Sequence, residues 1–183
     1  MIKNLAVLLN QRIKWFFIVC ISIITCSCHH KKNTRNDSLV FRYNEHKNIS
    51  SLDPAFSKDI ADIWATNQLF NGLVEMDENL RIKPSIAKHW AISENALIYT
   101  FTLRKDVKFH KHYLFGKDST RYVNALDFKY SFNRLLDKKL ASPGSWVLNK
   151  VDRFEALNDS VFEIKLKQPF PAFLGLLTMN PSS

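Results

Sequence analysis

Cys26 and Cys28 stand one residue apart and are followed directly by His29 and His30. Thiolate and imidazole together make a donor set for a soft metal ion. Two thiols can also pair, although a bridge across one intervening residue closes a small, strained ring. A third chemistry is a cut in the chain followed by acylation of one thiol. Downstream, His110 and His112 are two apart, so an extended backbone points both rings to one face. No third ligand accompanies them, and a metal site is not expected there.

Other chemistries lack their residues. The four glycines, Gly72, Gly116, Gly144 and Gly175, lie far apart, so no loop can bring clustered backbone N–H groups against phosphate. Serine, histidine and aspartate are all present, but no serine sits in a Gly-x-Ser-x-Gly turn. A membrane-anchored hydrolase is the alternative from another class, and it has no motif behind it. No enzyme and no cofactor are expected. The formal charge is +9, of which Lys3, Arg12 and Lys14 belong to the first segment, leaving about +6 scattered over the rest. Groups such as Lys138–Lys139 read as solvated surface, and no nucleic-acid-binding signature accompanies them.

The position of the cysteines separates their readings. A basic start leads into an apolar run from Trp15 to Ile24, followed by small polar residues, which is the layout of an export signal. The run is shorter than the roughly 20 residues that span a bilayer, and Asn10, Gln11, Arg12 and Lys14 prevent its extension backwards. Thr25-Cys26-Ser27-Cys28 resembles the lipobox of bacterial lipoproteins, in which a cysteine receives a diacylglycerol and becomes the new N-terminus. Cys28, behind small Ser27, is the favoured site. Cys26, behind Ile23-Ile24-Thr25, is the alternative. A metal cluster here would lie against the signal itself. Residues 1–27 therefore read as a lipoprotein signal peptide, and 28–37 as a polar tether without apolar residues.

From Ser38 the pattern is globular, as 14 phenylalanines and an apolar fraction of 46% require of a chain with a real core. SLVFRYN reads as a first strand. A helix starts near Asp59, its cap, with Ile60, Ile63, Trp64 and Phe70 near one face and Gly72 suited to its exit. Met76–Arg81 reads as a turn between two short strands. Leu97, Tyr99, Phe101 and Leu103 alternate with polar residues, as in a half-buried strand. Asn124 caps a helix to Asp137, with Asp127 completing a capping box and Ala125, Phe128, Phe132, Leu135 and Leu136 as its apolar stripe. VDRFEALNDSVFEIKL reads as a hairpin turning at Asn158-Asp159, and Pro169 and Pro171 introduce a short apolar helix. Arg104 reads as a structural ion pair or a cap on carbonyls. Strands and helices in this order predict an α/β domain.

Leu52-Asp53-Pro54, LFNGLVEMD, PSIAKHW, YTFTLRKDVKFH, VNALDFKYSFNRLLD and FEIKLKQPFPAFL occur in the order found in family 5 extracellular solute-binding proteins. The chain resembles that family from about Leu39 to Leu177, and Ser142–Trp146 (SPGSW) is similar to its peptide-transport branch. It departs from the pattern in HKHYLFGKDSTRYVNA, where an insertion replaces a short turn before Asn124.

The resemblance implies a two-lobed periplasmic-binding-protein-like (type II) fold, with a mixed sheet and flanking helices, of which residues 38–183 are the N-terminal part. It implies a lipid-anchored receptor that closes over oligopeptides or dipeptides and delivers them to the permease subunits of an ABC importer, on the periplasmic side of a cell or outer membrane. Nickel or a nickel chelate is the alternative cargo. In relatives the loop after Leu-Asp-Pro joins the peptide cradle, which makes Ser57, Lys58, Asp59 and Ile60 candidates; Lys58 and Asp59 read equally as solvated loop and helix cap. Trp146 is the candidate aromatic beside them, or a core residue. Members of the family are much longer, so the chain reads as a truncated portion that by itself holds ligand weakly. An assembly lipoprotein without ligand is the remaining alternative.

Overall fold

The computed structural model describes Arg42 and residues 44–179, nearly all within the unit Glu45–Ser183. Cys26, Cys28, the tether and most of the expected strand SLVFRYN lie outside the described residues.

A short 3-10 turn, Pro54–Phe56, comes first, and Asp53 caps it by accepting from Ala55 N. Proline at the first position suits a turn whose first N–H has no partner anyway. Helix α1, Ile60–Asn67, follows with Asp59 as its N-cap. Strands β1 (Val74–Met76) and β2 (Ile82–Pro84) form a small antiparallel pair. Its turn is organised by Asp77, whose carboxylate accepts from Asn79 N and Arg81 N.

The main sheet holds β3 (Ala87–Ile92), β4 (Ile98–Leu103), β5 (Val151–Asn158) and β6 (Val161–Leu166) in the order β3-β4-β6-β5. All pairings among the described strands are antiparallel, which narrows the mixed sheet expected from the sequence. The reason lies in the connections: β3–β4 and β5–β6 are hairpins, and β6 inserts between β4 and β5. The long link carrying α2 (Ala125–Leu136) thus joins two strands that run parallel but do not touch, a split βαβ arrangement.

One face of this sheet is the core. Tyr99, Phe101 and Leu103 of β4 and Phe162, Ile164 and Leu166 of β6 alternate inward and are buried, as a period of two dictates. Helix α2 covers them with Ala125, Phe128, Phe132 and Leu135. Phe132 meets Phe162 edge-on at 5.4 Å and Phe154 at 5.3 Å. Each such buried side chain contributes roughly 1.5–3 kcal/mol of transfer free energy. Helix α3, Phe173–Leu176, closes one end, with Phe173 edge-on to Tyr99 at 5.0 Å.

The capping box of α2 is complete: Asn124 accepts from Leu126 N and Asp127 N, and Asp127 accepts from Asn124 N. Arg104 is forked onto Asp106, with a long contact to the Ser85 carbonyl, as an ion-pairing residue should be.

Three expectations need correction. Leu136 is 47% exposed and leaves the stripe of α2: Leu135 beside it is 2% exposed, so the buried face passes through Leu135 and the next position around the helix turns outward. Helix α1 ends at Asn67, with Gln68 as its C-cap, so Gly72 is not its exit; Gly72 is buried in the next segment, where its carbonyl accepts from Ile86 N. The apolar side of α1 is not its buried side either. Ile60 and Trp64 are exposed, while Ala61, Asp62 and Thr66 are buried. Hydrogen bonds decide that orientation. Asp62 accepts from Ser50 N and Ser50 Oγ at 2.7 and 2.6 Å, and Thr66 Oγ1 contacts Ser57 Oγ at 3.1 Å. Buried polar groups are tolerated when they are hydrogen-bonded, as these are.

Candidate functional site

The chain after Asp53 and the chain after Leu140 meet although nearly ninety residues separate them. Ser142 Oγ, buried, donates to the Ala55 carbonyl at 2.6 Å and accepts from Gly144 N at 3.1 Å. Arg134 of α2 grips Asp53 with both guanidinium nitrogens, Nη1 to Oδ1 at 2.7 Å and Nη2 to Oδ2. The Asp53 carboxyl is thereby held below its ordinary range, chiefly by the Arg134 hydrogen bonds. Two cross-braces therefore fix the Leu-Asp-Pro loop against both the SPGSW segment and α2.

Between the braced segments lies a groove of about 360 Å3. Ser57, Lys58, Ile63 and Asn67 line it from the segment that runs into α1, together with Pro143, Gly144 and Trp146 and with Thr178 and Met179. Ser57, Lys58 and Trp146, singled out from sequence, are brought together here. Their circumstances differ. Ser57 is buried and its hydroxyl engages Thr66 Oγ1 and the Asp53 carbonyl, so it shapes the wall. Lys58 is exposed. Trp146, in the 3-10 turn Ser145–Leu148, is 46% exposed, so it is not a core residue.

Asp59 and Ile60 do not line the groove. Asp59 caps α1 and accepts from Lys47 Nζ at 2.7 Å, and the Lys47 hydrogen bond is the main cause of its depressed carboxyl pKa. Ile60 stands 68% exposed on α1. Sequence reasoning missed Ile63, Asn67 and Met179. The first two are four apart on α1 and so share a face, a signal that was available. Nothing local marks Met179.

A larger cavity of about 840 Å3 opens on the far side of the Leu-Asp-Pro loop, between α2 and the insertion before Asn124. Phe70, Val107, Phe109, Phe115 and Phe128 give it an apolar wall. The smaller groove is the better candidate site, since it gathers Ser57, Lys58 and Trp146 from the two cross-braced segments. His110 and His112 form no ligand group: among the described residues no three His, Cys, Asp or Glu side chains are placed to hold a metal ion. His112 instead accepts from Leu114 N through Nδ1.

The α/β architecture thus carries a loop-lined groove between the Leu-Asp-Pro and SPGSW segments. The sequence matches the bacterial extracellular solute-binding proteins, family 5 (middle region), over residues 81–183, and the chain belongs to that family. It is 33% identical over 144 residues to the periplasmic murein peptide-binding protein MppA of Escherichia coli K12, covering 69% of this chain and 25% of that protein. Among solved structures, the periplasmic binding protein DppA of Helicobacter pylori, in complex with the peptide STSA, superposes with a TM-score of 0.65 at 33% identity; the match covers 73% of this chain and 28% of DppA. NikZ of Campylobacter jejuni, in complex with Ni(L-His), gives 0.60 at 34%, covering 72% and 25%. The chain thus spans about a quarter of the length of these relatives.

Proposed function

We propose that this chain supplies one wall of the ligand cleft of a peptide receptor serving an ABC importer. The carrying observation is the groove that brings Trp146 and Lys58 together beside the cross-braced Leu-Asp-Pro and SPGSW segments. An exposed aromatic and an exposed cation in one groove suit an extended peptide, whose backbone supplies most of the affinity while roomy pockets accept varied side chains. Peptide ligands named for MppA and DppA support this reading. A nickel chelate is the second reading, favoured by the likeness to NikZ.

In the same proposal residues 1–27 are a lipoprotein signal, Cys28 (or Cys26) carries the acyl chains, 28–37 form the tether and the binding domain starts at residue 38. The receptor is then held on the periplasmic side of a membrane beside its permease, in keeping with the periplasmic location named for the relatives.

The test is titration of the native gene product, extracted from membranes, with di- to pentapeptides and with nickel–histidine, read by calorimetry. Peptide binding that weakens about tenfold or more in Trp146→Ala, the size expected of an aromatic anchor, supports the proposal. Binding of peptides with no loss in Trp146→Ala and Lys58→Ala moves the cleft elsewhere. Binding of the nickel chelate alone selects the second reading.

A further inference from the structure

The insertion before Asn124 has a construction that ligand binding in the groove does not use. Its base is closed by the Lys108–Tyr122 bridge and by Phe109 N donating to the Arg121 carbonyl. Thr120 Oγ1 donates to the Phe109 carbonyl at 2.5 Å, and His112 N to the Ser119 carbonyl at 2.6 Å. The Arg121 guanidinium lies 4.5 Å above Phe109 and 5.7 Å from Phe115, while forking onto Asp127 of α2. Gly116, at φ +73°, and Ser119, at φ +55°, turn the chain back. The tip is therefore braced, and it carries Tyr113 at 78% and Leu114 at 75% exposure.

The charges around the tip are mostly positive. Lys108, Lys111 and Lys117 are exposed, Lys108 lying over the Tyr122 ring at 4.6 Å. Among the described residues neither Lys111 nor Lys117 is in an ion pair. Asp118 is the single acid between Val107 and Tyr122.

We propose that this loop docks on an anionic lipid surface, with Tyr113 and Leu114 entering the headgroup region and Lys111 and Lys117 held by lipid phosphates. Tyrosine is at home at that level of a bilayer. Lysine stems lie along apolar surface while their ammonium groups reach anions, and each lysine near such a surface is worth about 1 kcal/mol. A protein partner is less suited: a stable interface takes roughly 800 Å2 per side and is poor in lysine, whereas this tip has two large apolar side chains among exposed lysines. The docking is independent of the acyl anchor, since it uses charge and a rigid tip on the folded domain.

The test is hydrogen exchange of the full chain on vesicles of phosphatidylcholine, with and without phosphatidylglycerol. The amides of residues 111–118 slow at least severalfold on the anionic vesicles, and added salt reverses the effect. Lys111→Gln/Lys117→Gln weakens the anionic contact by on the order of 25-fold, about fivefold per lysine. Tyr113→Ser/Leu114→Ser abolishes the protection; both residues are exposed, so the fold is not at risk. Unchanged exchange on anionic vesicles overturns the proposal. So does protection seen only with native membranes and lost when their surface proteins are digested, which assigns the loop to a protein.

Discussion

The Asp53–Arg134 pair lends itself to a quantitative test, because it ties the Leu-Asp-Pro loop to α2 across 81 residues of sequence. Asp53→Ala removes two things. The cap on the Pro54–Phe56 turn is worth about 1 kcal/mol, and charge-assisted hydrogen bonds contribute about 1.5–3 kcal/mol. The side chains keep 28% (Asp53) and 32% (Arg134) exposure, so solvent screening takes the lower part of that range. The expected loss is about 2–3 kcal/mol. Asp53→Asn retains an acceptor for Ala55 N and should lose about 1–2 kcal/mol. Urea unfolding followed by tryptophan fluorescence, run as a double-mutant cycle with Arg134→Ala, should give a coupling of about 1–1.5 kcal/mol. The sign with pH follows from the depressed carboxyl. Below its ordinary value of 3.8, the unfolded chain takes up the proton before the folded one does. The coupling is therefore full above that value and is lost as pH falls through the lower folded-state value. A coupling under about 0.3 kcal/mol near neutral pH, or one that grows on acidification, would refute the account of a braced loop.

The remaining predictions concern the core, a helix end and the groove. Phe162→Ala, at the centre of the ring cluster formed with Phe128, Phe132 and Phe154, should cost about 3–5 kcal/mol by urea midpoint and slope. Asn124→Ala should cost about 1 kcal/mol and raise exchange rates in the first turn of α2, since Leu126 N and Asp127 N lose their acceptor. Ser142→Ala leaves the Ala55 carbonyl and Gly144 N without their partner, a loss of about 1–3 kcal/mol. It should also speed proteolysis at residues 56–59, measured by limited digestion.

Local chemistry made much of this protein legible before any fold was in view. The capping box at Asn124 and Asp127 needs only residues three apart, and it names the start of α2 by itself. The alternation in β4 and the Asn158-Asp159 turn of the β5–β6 hairpin are likewise short-range, because side-chain period and turn geometry are set within a few residues. The order of six motifs carried the family, and with it the class of fold. Lys58 and Trp146 were legible only as candidates on two unrelated segments.

Their convergence was decided by tertiary structure, through contacts that no local pattern encodes: Ser142 onto the Ala55 carbonyl and Arg134 onto Asp53. The same is true of the face that α1 buries. Its apolar stripe pointed one way, and a seam of hydrogen bonds joining Ser50 with Asp62 and Ser57 with Thr66 turned it the other. Sequence patterns report hydrophobicity along one helix, whereas orientation follows the partners that long-range packing brings to it. A buried polar group is costly alone and tolerated once paired, and the pairing exists only after distant segments have met.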